Sequence, residues 1–304
     1  MSDRGCSTDL LRRLYYEENK SQRQLMEMFG IRDYKVIKRW FKESNITPRE
    51  NGSTYTFNKN YFDNINTEDK AYWIGFIWCD GYVCHRIRNE KQIYEFKLDL
   101  AAEDEKHVYK FRDALEGNQE IKEYRFKSNF KNNQNVCRFY TSNTYFSKKL
   151  HSDYGLKAGR HSIMSLISKI PDNLLRHFIR GIIDADGSIS GGYVNDRGVK
   201  RFKARFQITT CEELCDFVNN YLINKDLTNT RMKLSVRHEG GDGYCRTISF
   251  CGNNQVEKIL SHLYEDSNTY LDRKFEKYIE IKRTLTRIRG LNIDLEAKNS
   301  SHSV

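Results

Sequence analysis

Hydrophobic and polar residues alternate along several short segments of the chain, and longer segments between them repeat apolar residues at helical spacing. Every second residue is apolar along 201–209, and a similar alternation runs along 92–100. A period of two is typical of a strand that buries one face. The longer segments are typical of helices that bury one stripe of side chains.

The pattern predicts two successive halves, each ordered helix, strand, strand, helix, strand, strand, helix, and therefore an α+β fold. The first half is predicted to contain helix 67–79, strands 81–88 and 92–100, helix 103–115, strands 121–127 and 136–141, and helix 145–154. The second half is predicted to contain helix 172–186, strands 188–194 and 200–209, helix 212–223, strands 230–238 and 244–251, and helices 255–264 and 272–283. Thr67 and Asp172 are the expected caps of the first helix in each half.

An internal repeat relates the two halves. Residues 72–81 read YWIGFIWCDG and residues 178–187 read FIRGIIDADG. Each copy is too short to span a membrane. The final glycines, Gly81 and Gly187, are expected to adopt a positive φ and end the two helices sharply.

The repeat suggests how the two halves meet. We expect the two segments to be helices that pack through Gly75 and Gly181, since a residue without a side chain lets two backbones approach closely. Asp80 and Asp186 would then lie side by side at one end. Paired carboxylates at helix C-termini are unfavourable without a cation, and oxygen ligands favour Mg²⁺ or a similar hard ion.

The two segments resemble the motifs of a LAGLIDADG homing endonuclease of the two-motif, single-chain kind. The second copy matches closely and departs mainly at Arg180, whereas the first has Trp78 and Cys79 where the family often has an aspartate and a small residue. The resemblance covers roughly residues 55–285. It implies two pseudo-symmetric halves packed through their motif helices, in a protein that acts as a monomer on double-stranded DNA.

The resemblance also implies the catalytic groups. Asp80 and Asp186 would be the metal ligands, for Mg²⁺ or Mn²⁺, and metal-bound water would attack the phosphodiester. In the family a basic residue near each metal assists. Lys274 is the candidate in the second half and Lys157 in the first. The other first-half candidates are Arg160 and His161.

Basic residues line the polar faces of the predicted strands. The face along 201–209 carries cationic, amide and hydroxyl groups without a carboxylate, while along 92–100 Glu95 and Asp99 flank Lys97. Strands can lie in the major groove, where arginine reads guanine and glutamine reads adenine. We therefore expect two DNA half-sites that are read with unequal strength. The predicted DNA-binding residues are Lys97, Arg201, Lys203, Arg205, Gln207, Arg231, Lys233 and Arg237.

Residues 8–46 are predicted to form a small all-helical unit. Ser21 caps a helix over 22–29, Gly30 ends it, and Asp33 caps a helix over 34–43. This order resembles a DNA-binding helix-turn-helix, and the alternative is a three-helix interaction module. The residues expected to face DNA are Arg32, Tyr34, Lys35, Lys38 and Arg39. The expected core residues are Leu25, Ile31, Val36 and Ile37.

Composition agrees with a nucleic-acid partner. The 304 residues carry a net charge of +10, which favours a polyanion. The eight cysteines show neither CxxC pairs nor zinc spacing, so we expect reduced thiols. No segment is typical of a signal peptide or a membrane span. We therefore expect an intracellular protein without a membrane partner, in the cytoplasm of a bacterial or phage-infected host or in an organelle.

These features predict a site-specific endonuclease that makes a metal-dependent, staggered double-strand break in DNA. Two alternatives stay open, a DNA-binding regulator that does not cleave and an RNA maturase that assists intron splicing. The predicted domains are a helix-turn-helix over 1–46, a linker over 47–60, a first half over 61–170, a second half over 171–290 and a disordered tail over 291–304.

Overall fold

The computed structural model describes residues 6–48, 55–126, 134–156, 163–229, 232, 234–236 and 245–300. The chain divides into two compact units, one formed by Met1–Lys59 with Tyr109–Ile121 and the other by Asn60–Val108 with Lys122–Val304. The domain boundaries that we placed at 46, 60, 170 and 290 stay predictions. No helix among the described residues has the length and apolar character needed to cross a membrane.

The smaller unit begins with short helices around a common core. They are α1 (Thr8–Arg12), a π-helical segment (Arg13–Glu17), α2 (Gln22–Met28) and α3 (Tyr34–Glu43). Ser21 and Gln24 form a reciprocal capping box at α2, Gly30 turns the chain with a φ of 65°, and Asp33 caps α3. The buried core consists of Leu11, Leu14, Tyr15, Leu25, Ile37, Trp40, Phe41 and Ile46. Ile31 and Val36, also expected there, pack against this core and are partly buried.

Part of the predicted linker is ordered within the smaller unit. The Asn58 N–H donates to the Leu115 carbonyl at 2.7 Å, and the Asn118 N–H donates to the Thr56 carbonyl at 3.1 Å. These bonds pair the residues before the first half with the segment that follows α5 (Glu105–Ala114).

The remaining elements follow the predicted order. The first half contains α4 (Glu68–Asp80), β1 (Gly81–Arg88), β2 (Lys91–Ala101), α5, β3 (Lys122–Phe126), β4 (Gln134–Thr141), α6 (Thr144–Ser152) and the unpredicted short α7 (Met164–Ile167). The second half contains α8 (Leu175–Asp186), β5 (Gly187–Asp196), β6 (Val199–Cys211), α9 (Glu212–Asn224), β7 (Ser235–Val236), β8 (Cys245–Cys251), α10 (Asn253–Tyr264) and α11 (Asp272–Ser300). The predicted α+β class and the repeated order of elements are confirmed. Most of the strand predicted over 230–238 lies outside the described residues.

The repeat extends to the sheets. Each half forms a four-stranded antiparallel sheet, with the orders β1-β2-β4-β3 and β5-β6-β8-β7. Gly81 pairs with Leu98 in the first sheet and Gly187 pairs with Ile208 in the second. Positions in the two sheets can therefore be compared residue by residue from these pairs.

The α4–α8 contact is set by two glycines. A Cβ at Gly75 would lie 2.3 Å from the carbonyl oxygen of Phe178, and a Cβ at Gly181 would lie 2.1 Å from the carbonyl oxygen of Tyr72. Both distances are shorter than any real carbon–oxygen contact, so no other residue fits without moving a helix backbone.

The two glycines that follow the aspartates correct our prediction of a positive φ. Gly81 and Gly187 are extended, with φ of −81° and −82°. A Cβ there would lie 2.3 Å from the Ile77 carbonyl oxygen and 2.6 Å from the Ile183 carbonyl oxygen. Glycine is therefore required by space as the chain leaves the helix directly into a strand, rather than by a left-handed turn.

Two boundary predictions are also wrong. Asp172 does not cap the second motif helix, because it lies in a 3-10 turn over Asp172–Leu174, and α8 begins at Leu175 without a side-chain cap. Such turns commonly take up the residues before an α-helix. The helix predicted to end at Arg283 continues through Ser300, and so extends into the segment 291–304 that we predicted as a tail. Its Leu-Glu-Ala-Lys composition favours a helix.

Replacing Gly181 with alanine tests the packing constraint. Alanine favours a helix by about 1 kcal/mol over glycine, but here its methyl group would push against the Tyr72 carbonyl. We expect Gly181→Ala to lower the free energy of unfolding by roughly 1–3 kcal/mol, measured by urea denaturation. Gly192→Ala is the control, because nothing lies within 4 Å of a Cβ at Gly192. Equal effects of the two substitutions would contradict this account.

Candidate metal and nucleic-acid site

Two carboxylates come together where α4 and α8 end. Asp80 and Asp186 are the last residues of these helices. Burial, together with the nearby charge of Asp186, raises the pKa of Asp80 to about 7. The Cys79 thiol is hydrogen-bonded to Asp186, and burial together with the two carboxylates raises the Cys79 pKa. The motif ends therefore form one concentrated acidic site.

Lys274, at the start of α11, lies against this site. Its side chain is 5% exposed, and its Nζ donates to the carbonyl oxygens of Ile183 and Asp184 at 2.6 Å and of Gly187 at 2.7 Å. Burial lowers the Lys274 pKa to about 8 despite the neighbouring carboxylates. The ammonium group has three N–H donors, and all three are used on backbone carbonyls. The geometry makes Lys274 a cap for the C-terminal end of α8, and its catalytic role stays a prediction.

Asp184 is turned away from the paired acids and fully bonded. It is buried and accepts hydrogen bonds from the Tyr72 hydroxyl at 2.7 Å, the Tyr264 hydroxyl at 2.6 Å and the Leu271 N–H at 2.7 Å. Three donors to one buried carboxylate are a structural arrangement, because they tie α8 to α4, α10 and the start of α11.

Arg180 is a structural residue that the sequence reasoning missed. Its side chain is 0% exposed and donates to the carbonyls of Leu263 and Thr269 at 2.9 Å and to Glu68 Oε1 at 2.8 Å. Glu68 in turn accepts from the Asn268 N–H at 2.7 Å. The signal was available, since Arg180 is where the second motif departs from the family string. A charge at a position that the motif makes apolar and buried requires a partner.

The two acids fit a hard cation. Within the described ranges, no group of three or more histidine, cysteine or acidic side chains is placed to hold a metal ion. Asp80 and Asp186 would supply two carboxylate oxygens, and their mutual repulsion, visible in the raised Asp80 pKa, would be relieved by a cation between them. The remaining ligands would have to be water and an oxygen of a bound molecule, as is usual for Mg²⁺. Lys157 lies outside the described residues.

The outer face of the second sheet is mostly cationic. Arg201, Lys203 and Arg205 are exposed along β6, and Gln207 is half-buried on the same face. No described carboxylate pairs with Arg201 or Arg205, but Asp196 of β5 lies 3.3 Å from the Lys203 Nζ. Arg231, Lys233 and Arg237 lie outside the described residues.

The outer face of the first sheet differs, because its charges pair with each other. Lys97 is half-buried at its centre. Asp99 forms a two-pronged ion pair with Arg138, and Glu95 pairs with Arg86 at 2.9 Å. The expected inequality of the two faces therefore has a structural counterpart.

The basic face of α3 is exposed. Lys35, Lys38 and Arg39 all reach solvent. The Lys38 Nζ lies 4.9 Å from the centre of the Tyr34 ring, and Arg39 lies 3.9 Å from Glu43 on the same helix. These contacts are compatible with a DNA-reading helix or with a protein contact, so DNA binding by α3 stays a prediction.

Comparison with known proteins gives structural likenesses only. No family model matches the sequence, and no curated protein matches it. The structure is similar to the LAGLIDADG meganuclease I-AabMI bound to uncleaved DNA, with 15% identity, 72% of this chain and 91% of that chain covered, and a TM-score of 0.48. It is also similar to the LAGLIDADG homing endonuclease I-LtrWI bound to target DNA, with 14% identity, 80% of this chain and 98% of that chain covered, and a TM-score of 0.49. A third similar structure is the LAGLIDADG homing endonuclease I-SmaMI bound to cleaved DNA, with 14% identity, 75% of this chain and 92% of that chain covered, and a TM-score of 0.49. At these values the function has to be inferred from the residues of this chain.

The pKa of Asp80 predicts how stability depends on pH in the absence of divalent metal. The folded state holds the Asp80 proton between the ordinary carboxyl pKa of 3.8 and about 7, so wild type loses stability from this group as the pH rises through that range. Asp80→Asn has no such proton. We expect the stability of Asp80→Asn relative to wild type to increase with pH by up to about 1.4 kcal/mol per pH unit and to level off above pH ~7.

The measurement is urea denaturation of both proteins in chelator across this pH range. Taking the difference removes the titrating groups that do not interact with Asp80, such as His177, whose pKa is lowered to about 4 by burial and Arg180. A difference that does not vary with pH would contradict the buried, repelled state of Asp80.

Proposed function

We propose that this protein is a site-specific, metal-dependent DNA endonuclease that cuts both strands of a duplex. The observation that carries the proposal is the pairing of Asp80 and Asp186 at the ends of two packed helices, next to two strand faces rich in arginine and lysine. Two juxtaposed carboxylates oppose binding of a polyanion unless a cation accompanies it, so a protein that only bound DNA would gain nothing from them.

The residues at the ends of α4 and α8 would have different roles in this reaction. Asp80 and Asp186 would hold Mg²⁺ or Mn²⁺, which lowers the pKa of bound water and stabilises a leaving oxygen at a phosphodiester. The Cys79 thiol is a hydrogen-bonding neighbour of Asp186, and Lys274 fixes the carbonyl end of α8. The Gly75–Gly181 contact fixes the separation of the helix ends, and therefore where a phosphate has to lie.

The two sheets would position the duplex. Their outer faces carry the candidate base-reading residues, with Arg201, Arg205 and Gln207 in the second half and Lys97 in the first. Arginine and glutamine at these positions suit guanine and adenine edges in the major groove. Contacts of α3 with DNA would add affinity. We propose that the protein acts as a monomer inside the cell, either in a bacterial or phage-infected host or in an organelle. Its gene would lie within an intron or between other genes, as the genes of homing endonucleases do.

The alternatives are distinguished by the same site. A regulator that does not cleave would keep the strand faces and have no use for the acids. A maturase would bind intron RNA, for which the helix-turn-helix order would have no explanation. The paired acids favour the endonuclease over both.

We expect wild type to cleave, with Mg²⁺, a plasmid that carries the uninterrupted allele of the DNA flanking its gene. Asp80→Asn and Asp186→Asn should bind the same DNA and cut it at least about a hundredfold more slowly, a loss of ~2.7 kcal/mol in barrier lowering. Cleavage is followed on gels and binding by filter retention. Asp184→Asn is the control for a nearby structural acid and should act through stability. Binding without cleavage by wild type would support the regulator, and affinity for intron RNA alone would support the maturase.

The first motif predicts an order of strand cleavage. Cys79 stands where the second copy has Ala185, and its thiol is hydrogen-bonded to Asp186. If this contact slows one strand, nicked plasmid should accumulate before linear product. Cys79→Ala should shorten the life of the nicked form, with Cys84→Ala as the control on β1. Direct conversion of supercoiled to linear DNA by wild type would show that the first motif does not limit cleavage.

A further inference from the structure

Two carboxylates on the outer face of the first sheet hold two arginines. Asp99 lies directly across from Arg138 in the β2–β4 ladder, and its two oxygens accept from Nε and Nη2 of Arg138 at 2.6 Å each. Glu95 accepts from Nη2 of Arg86 and from the hydroxyl of Tyr140, both at 2.9 Å. Both acids therefore bond to cations that lie on neighbouring strands.

These pairs are held firmly. Glu95 is 9% exposed, which is unusual for an acid on the outer face of a sheet. The Arg138 guanidinium also lies 4.7 Å from the centre of the Tyr124 ring. Bidentate pairing with a carboxylate adds direction as well as strength. The two arginines are consequently less free to move than a single exposed arginine.

The second sheet shows what stands at the same positions without this pairing. Counting from the matching pairs Gly81–Leu98 and Gly187–Ile208, Glu95 corresponds to Arg205. Asp99 corresponds in the same way to Thr209. The partner position, Arg138 in the first sheet, is Thr247 in the second, and the Thr209 and Thr247 hydroxyls are hydrogen-bonded at 2.9 Å. An ion pair in one half is thus a neutral hydroxyl pair in the other, and an acid in one is an arginine in the other.

We propose that Asp99 and Glu95 are specificity-determining residues, which hold Arg138 and Arg86 as base-reading groups and keep them off the phosphate backbone. This inference rests on the proposed DNA-binding function. Arginine has five N–H donors, and Asp99 uses two of those of Arg138, so three are left for the edge of a guanine. A guanidinium neutralised by its carboxylate is only weakly attracted to phosphate, and phosphate contacts supply most sequence-independent affinity.

The two half-sites are then read by different chemistry. The first half discriminates bases through oriented arginines and adds little charge attraction. The second half, with Arg201 and Arg205 unpaired by any described carboxylate, attracts the phosphate backbone as well. Removing a carboxylate from the first face should therefore strengthen non-specific binding and weaken discrimination at the same time.

The test uses the full-length protein with a duplex library that has a randomised central stretch, without Mg²⁺ or Mn²⁺ so that binding is separated from cleavage. Bound duplexes are sequenced to give the base preference at each position. Affinity for the unselected library is measured over a series of salt concentrations. Wild type is compared with Asp99→Asn, Glu95→Gln and a control, Glu257→Gln. The control makes the same change in net charge at an acid that pairs with Arg289 between α10 and α11.

In Asp99→Asn and Glu95→Gln we expect the affinity for unselected duplex to fall more steeply with salt, with a slope of log affinity against log salt that is steeper by about 0.9 per released arginine. Each released arginine then makes the loss of affinity between 50 and 200 mM salt roughly threefold larger. Base preference should weaken over one half-site and stay unchanged over the other. Glu257→Gln should show neither change. Unchanged preference in both acid variants would overturn the inference, and so would loss of preferred-site binding without any change in the salt slope.

A double variant guards against misfolding. Asp99→Asn/Arg138→Gln leaves no unpaired charge in the ladder and should lose the preference in that half-site without a steeper slope. A steeper slope in the double variant would also overturn the inference. If wild type binds no duplex at all, the proposed function itself fails, and that result is distinct from binding that the acid variants leave unchanged.

Discussion

The close approach of α4 and α8 at Gly75 and Gly181 is the constraint on which the rest of the molecule depends. With no side chain between them, each glycine lies against a carbonyl of the other helix, so neither helix can slide or rotate without a clash. Asp80 and Asp186 meet because the two helices end at matching positions of the repeat. Gly81 and Gly187 then lead the chain directly into β1 and β5, where they pair with the equivalent residues Leu98 and Ile208.

Buried polar groups secure the second helix end. Lys274, Asp184 and Arg180 are almost inaccessible to water, and each would be costly to bury alone. Each is instead bonded by several partners from different elements, which connect α8 to α4, α10 and α11. Such networks specify one arrangement, since any shift would leave a buried charge unpaired.

The correct predictions from the sequence came mostly from the repeated motif and from the alternation of apolar and polar residues. Period-two alternation located β2 and β6, and the repeat indicated the helix pair and its acids, because these signals are local. The extended conformation of Gly81 and Gly187 could not be predicted, since it depends on the direction in which the next strand leaves. The three-carbonyl cap made by Lys274 and the Glu68–Arg180 contact join residues about 90 and 112 positions apart. Only the fold brings such residues together.

The Glu68–Arg180 bond also shows that the two halves are not interchangeable modules. By the alignment of the repeat, Arg180 corresponds to Ile74 and Glu68 corresponds to Leu174. A symmetric protein made from two copies of the second half would bury two arginines without a carboxylate, and one made from two first halves would have two glutamates without a cation. The buried contact between the two halves is therefore asymmetric. A symmetric dimer of either half would need a new partner for these buried charges before its two copies could pack.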